Sequence, residues 1–128
     1  MKQNTILVIA SLLSTLLFSI HVTDDIIRGM SAGGSENIIV ILIMVVFLGG
    51  TLLLADRPLG RVIMLLGGLA AASMPILHMR GASYAGQIAK SSGGFLFIWT
   101  VLALGTTGTF SVILSLNGLW NLRRGQAR

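Results

Sequence analysis

Apolar residues fill four long segments of the chain, and short polar segments separate them. The apolar segments cover residues 5–20, 38–55, 62–77 and 95–116. A helix of about 20 apolar residues is long enough to cross the hydrocarbon layer of a bilayer. Strands of a membrane β-barrel would alternate apolar and polar residues, and residues 38–48 do not alternate. The pattern therefore predicts an all-α integral membrane protein.

The polar segments predict how these helices connect. We expect four transmembrane helices at about residues 4–27, 37–55, 60–79 and 94–122, in a single domain over residues 1–128. Because the turn at residues 56–61 is short, helices 2 and 3 should be antiparallel neighbours. The predicted fold is an up-down-up-down four-helix bundle.

Basic residues predict the orientation of this bundle. Six Lys and Arg residues lie on the side of the two termini and the second turn, against three on the other side. The positive-inside rule then places both termini in the cytoplasm, and a bacterial inner membrane is the expected location. Trp99 and Trp120 lie 21 residues apart. That spacing is about 31 Å of helix, so the two indoles should mark the two interfaces.

Composition supports a membrane protein and narrows its chemistry. Charged residues make up 10% of the chain, against about 25% in a soluble domain. The net charge of +5 comes from basic residues at helix ends, so we expect no nucleic-acid partner. The absence of cysteine excludes thiolate metal sites, disulfides and c-type haem.

Small and hydroxyl side chains mark the predicted packing faces. The small residues are Gly49, Gly50, Gly67, Gly68, Ala71, Ala72, Gly105 and Gly108. Such residues let membrane helices approach closely, either within the bundle or against a membrane partner or a second copy. The hydroxyl residues of helix 4 are Thr106, Thr107, Thr109, Ser111 and Ser115. For these we favour hydrogen bonds between helices over a substrate path.

One stripe of ionisable residues lies at the end of helix 1. His21, Asp24, Asp25 and Arg28 are spaced i, i+3, i+4 and i+7, which places them on one helix face. His78 should lie at the same height, since each histidine stands 17 residues beyond a polar residue at the start of its helix. In the predicted bundle helices 1 and 3 are diagonal, so the two histidines are expected to face each other. The candidate site residues are His21, Asp24, Asp25, Arg28, His78 and Arg80.

Several interpretations of this stripe remain open. In the first, a divalent metal is bound by His21, Asp24, Asp25 and His78. Met74 and Met79 are close enough in sequence to allow a softer copper site. In the second, the two histidines bind haem b or a pigment, with the propionates paired to Arg28 and Arg80. In the third, the stripe relays protons. In the last, the charges merely pair with each other in interfacial water.

No motif identifies a reaction, and no catalytic set is recognisable. The favoured interpretation is a small non-enzymatic membrane protein, an accessory subunit or binding protein with this site at the outer face. A metal-, haem- or pigment-binding protein is the first alternative. A small oligomeric transporter or proton-handling protein is the second, although helices 2 to 4 carry no ionisable station in their inner halves.

Overall fold

Four α-helices make up most of the described chain in a computed structural model of the protein. The structure describes residues 3–31, 34–79 and 93–125. The helices are α1 (Gln3–Ile27), α2 (Glu36–Leu53), α3 (Pro58–Met79) and α4 (Gly94–Arg123). They include 88% of the described residues, and no strand occurs among those residues. The all-α prediction is confirmed.

Three of the four helices are long and apolar enough to cross a membrane. These spans are Gln3–Ile27, Pro58–His78 and Gly94–Arg123. The apolar part of α2, Asn37–Leu53, is shorter than these three spans. Helix α2 ends at Leu53, two residues before its predicted end. It ends there because Leu54 leaves the helical region of backbone space and its carbonyl accepts a hydrogen bond from the Arg57 amide. Helix α3 then begins at Pro58, earlier than predicted, since proline fits the first position of a helix.

Helix α4 is the central element of the packing. It packs along α3 and along α1, and α1 and α3 also contact each other. Helix α2 packs against α3 and α1 but, within the described ranges, does not contact α4. The fully buried side chains include Leu104 and Val101 of α4, Leu7 of α1 and Met64 of α3. The core therefore lies between α1, α3 and α4, with α2 attached at one side.

Glycines bring the backbones of α3 and α4 into near contact. A Cβ atom added at Gly108 would lie 2.6 Å from the Ala72 nitrogen and 2.8 Å from the Gly68 oxygen. A Cβ atom at Gly105 would overlap the ring of Pro75. In contrast, a Cβ atom at Gly49 would meet nothing within 4 Å. The small residues of α3 and α4 thus serve packing within the chain.

The hydroxyl groups of α4 bond mainly to their own helix. Thr106 and Thr109 donate to carbonyl oxygens four residues earlier, at 2.9 and 2.8 Å. A bond of 3.0 Å from the Ser14 hydroxyl to Thr107 does connect α1 with α4. Ser111 and Ser115 are fully buried, and their hydroxyl oxygens have no partner among the described atoms. Bonding between helices, which the sequence led us to favour, is therefore the minor arrangement.

Candidate metal site

Three potential metal ligands from two helices converge near the ends of α1 and α3. His21 and Asp25 lie one turn apart on α1, and His78 lies in the last turn of α3. Each offers one ligand atom, and the three atoms lie within 4.8 Å of one another. The Asp25 Oδ2 atom is 3.5 Å from His21 Nε2 and 4.0 Å from His78 Nε2. The fold thus brings together residues that are distant in sequence.

These separations are close to those around a bound ion. Ligand atoms at about 2.1 Å from a tetrahedral zinc ion lie about 3.4 Å from each other. The 3.5 Å pair already has this spacing, and the 4.0 Å pair exceeds it only slightly. The third pair lies within 4.8 Å, at most about 1.4 Å wider than this spacing, so an adjustment of the side chains would let the three atoms share one ion, with a fourth position open.

The orientation of His78 is set by its own helix. Its Nδ1 atom lies 3.0 Å from the carbonyl oxygen of Met74. This contact favours the tautomer that carries the proton on Nδ1, so that the Nε2 lone pair is free to bind a metal. Pro75 packs into the notch at Gly105 of α4, three residues before the histidine. The last turn of α3 is thereby held against α4.

A phenylalanine from α4 closes the site. The rings of His21 and His78 meet edge to face with centroids 4.6 Å apart. The ring of Phe97 lies 5.4 Å from the first and 5.6 Å from the second. His21 is only 3% exposed. The site is therefore a compartment between three helices, with an aromatic wall.

Two polar atoms in this compartment have no hydrogen-bond partner among the described atoms. They are Nδ1 of His21 and Oδ1 of Asp25, and both are buried. Buried polar atoms in native proteins are nearly always paired, because an unpaired one has lost its bonds to water. They are the second nitrogen of His21 and the second oxygen of Asp25, so each of these residues keeps an unused hydrogen-bonding atom beside the one that converges with His78.

Asp24 belongs to a different contact from its neighbour Asp25. Its Oδ2 atom accepts a hydrogen bond of 2.7 Å from Nε of Arg28. Arg28 also donates to the carbonyl oxygen of Gly93 at 3.0 Å and lies over the ring of Phe97. Among the predicted metal ligands, Asp24 is therefore paired with Arg28 and is not one of the three residues whose ligand atoms converge.

Two predicted residues cannot be placed. Arg80 lies outside the described residues, and so does the side chain of Met79. The predicted pairing of Arg80 with a haem propionate therefore stays a prediction. The contact between the two imidazoles also leaves no space for a porphyrin plane between them. The geometry favours a single small ion over haem b.

Sequence reasoning missed the residues that complete the compartment. These are Phe97, the carbonyl group of Gly93, and Met30, which packs with Met74 against the Phe97–Val101 pair. The height of Phe97 could be read from its place at the start of α4. The direction in which the Phe97 side chain points could not be predicted, because α4 carries apolar residues on all sides.

Comparison with known proteins identifies no relative of this chain. No protein-family model matches it, and neither a curated protein nor a solved structure is significantly similar. No function can be transferred from another protein. The geometry of His21, Asp25 and His78 is therefore the main indication of what this chain does.

Proposed function

We propose that this chain is a small, non-enzymatic integral membrane protein that binds one transition-metal ion through His21, Asp25 and His78. The observation that carries the proposal is the convergence of three ligand atoms within 4.8 Å from two helices. One of the three residues is almost completely buried. Ionisable residues buried at membrane depth are costly, so they are kept mainly where they function.

The proposal includes an up-down-up-down bundle of four transmembrane helices in a bacterial inner membrane. Two hydrogen bonds support this arrangement. Asn4 at the start of α1 donates to Asp56 before α3 at 2.6 Å, and Arg61 early in α3 donates to the Gly118 oxygen late in α4 at 2.8 Å. These contacts join the ends of the bundle that lie away from the metal ligands. With both termini cytoplasmic, the site would lie near the outer face.

The shorter α2 is compatible with a fourth span. Its 18 residues make about 27 Å of helix, slightly less than the hydrocarbon thickness of about 30 Å. A mismatch of this size is met by local thinning of the bilayer at a modest cost. The side chains of α2 are mainly exposed and apolar, as expected for a helix that faces lipid.

Metal binding to the purified protein tests the proposal. We would measure metal content by mass spectrometry and titrate the protein in detergent with Zn²⁺, Co²⁺ and Ag⁺. Binding of one ion per chain is expected for wild type, and Asp25→Asn and His78→Ala should each weaken it by at least about tenfold. Asp24→Asn is the matched control, because it neutralises the neighbouring carboxylate outside the ligand set.

Size-exclusion chromatography and circular dichroism would establish that each variant retains the wild-type fold. The proposal fails if folded Asp25→Asn and His78→Ala proteins bind all three ions as tightly as wild type. It also fails if Asp24→Asn weakens binding as much as Asp25→Asn does.

One observation favours an accessory role in addition to metal binding. Gly68, Gly105 and Gly108 pack closely against other residues of the chain, but the surface at Gly49 of α2 is open. We propose that a membrane partner or a second copy packs on α2 at this position. Because the chain has no cysteine, Gly49→Cys provides a single reactive thiol. Oxidation in membranes should yield a disulfide-linked dimer if a second copy packs there, and none if it does not.

A further inference from the structure

Two methionines belong to the same compartment as the three ligands. Met30 and Met74 both pack against the Phe97–Val101 pair. The Phe97 ring in turn contacts both imidazoles. The two methionines therefore belong to the same packing cluster as the ring that borders both imidazoles.

Backbone hydrogen bonds fix both methionines relative to the ligands. Gly29, at φ +68°, ends α1, and the Met30 amide then donates to the carbonyl oxygen of Asp25 at 2.8 Å. This is the Schellman arrangement, which folds the following residue back over the last helical turn. Met74 is held from the other helix, since its carbonyl oxygen contacts His78 Nδ1. The Met30 backbone is thus hydrogen-bonded to the ligand residue Asp25, and Met74 lies one helical turn before the ligand residue His78.

The charges of the described residues favour a monovalent ion. Asp24 and Arg28 form an ion pair, so their formal charges cancel. Asp25 is the carboxylate that faces the two imidazoles. A monovalent cation would neutralise it, whereas a divalent cation would leave a net positive charge beside side chains that are only 3–19% exposed. Uncompensated charge is costly where the dielectric constant is low.

The donor types favour a soft ion. Thioethers and imidazoles bind Cu⁺ well, while carboxylates and water suit harder ions. Without cysteine, methionine is the sole source of a sulfur ligand in this chain. Charge and softness therefore indicate the same ion.

We propose that the site binds Cu⁺, held by His21 and His78 with a thioether from Met30 or Met74, while Asp25 balances the charge. This inference rests on the metal-binding function proposed above and names its ion. The ion enters and leaves in the reduced state, so the proposal includes no redox step.

The test compares Cu⁺ with Zn²⁺ on the full chain in detergent. Cu⁺ is supplied without oxygen, its affinity is measured by competition with a chromophoric Cu⁺ chelator, and Ag⁺ serves as a redox-inert probe. The Met30→Leu/Met74→Leu protein should bind Cu⁺ and Ag⁺ about 10- to 100-fold more weakly than wild type, with Zn²⁺ affinity unchanged. Leucine keeps the volume of methionine, and Met44→Leu on α2 is the matched control.

X-ray absorption of the Cu⁺ protein gives a second readout. A sulfur scatterer in the first coordination shell is expected for wild type and should be lost in the double variant. The inference is overturned, and the site stands, if Zn²⁺ binds through the histidines while Cu⁺ and Ag⁺ affinities do not depend on the methionines. If His78→Ala changes the affinity of none of these ions, the proposed function falls together with the inference.

Discussion

The contact between α3 and α4 makes Gly108→Ala a demanding test of the packing. The added methyl carbon would lie 2.6 Å from the Ala72 nitrogen, 2.7 Å from the Ala71 Cβ and 2.8 Å from the Gly68 oxygen. Two of these atoms belong to the backbone, so no side-chain rotation can relieve the overlap. The helices must separate.

The size of this separation sets the expected cost. Nonbonded atoms are most favourable at about 3.5 Å or more, so α4 must move by roughly 0.9 Å away from α3. Such a movement weakens contacts along the whole interface, and overpacking of this kind costs about 1–3 kcal/mol. Gly49→Ala adds the same methyl group where nothing lies within 4 Å. In the single chain, without a partner on α2, it should be neutral or stabilising by up to about 1 kcal/mol, since alanine favours helices.

Thermal unfolding in detergent, followed by circular dichroism, would measure both variants against wild type. We expect a lower melting temperature for Gly108→Ala and an unchanged or higher one for Gly49→Ala. Equal stability of the two variants would show that α3 and α4 do not meet through Gly108, and the packing argument would then be wrong.

Three further predictions concern charged groups. Asp25→Asn should weaken metal binding, because it removes the carboxylate that faces both imidazoles. Asp24→Asn should keep the metal but lower the melting temperature, because the charge-assisted bond to Arg28 is lost. Metal analysis and thermal unfolding of both proteins would separate the two effects. Arg61→Met should lower the free energy of unfolding by about 1–3 kcal/mol, since it removes the donor to the Gly118 oxygen. An unchanged free energy of unfolding in detergent would contradict the hydrogen bond between Arg61 and Gly118. Bound metal should leave the wild-type protein as the pH is lowered, because the ligands must be deprotonated to hold a metal. Equilibrium dialysis would measure the loss, and full retention of the metal in acid would be the contrary result.

The helices could be predicted from sequence because each depends on its own apolar segment. The predicted last residue of helix 1, residue 27, and the predicted first residue of helix 4, residue 94, agree with the bounds of α1 and α4. The errors occurred around Pro58, where the local turn decides the boundary and hydrophobicity does not. Helix α2 stops early there and α3 begins early. The predicted passage of α2 through a membrane accordingly stays a proposal.

The candidate site was only partly accessible to such reasoning. The spacing of His21 and Asp25 puts them one turn apart on any helix. The same spacing rule cannot distinguish Asp24 from Asp25, because residues at i+3 and i+4 both lie near residue i. In the structure the two carboxylates differ because Arg28 donates a hydrogen bond to Asp24, while Asp25 faces His21 and His78.

The sequence by itself determined which segments are helical, because each is a long apolar segment. It also determined how far along its helix each polar residue lies, because the rise is fixed at about 1.5 Å per residue. Only the tertiary structure decided which side chains point toward one another. The rotation of α3 about its axis, held by Pro75 in the notch at Gly105, turns His78 toward His21. That rotation depends on backbone contacts between helices that are distant in the chain, and no local pattern of residues encodes it.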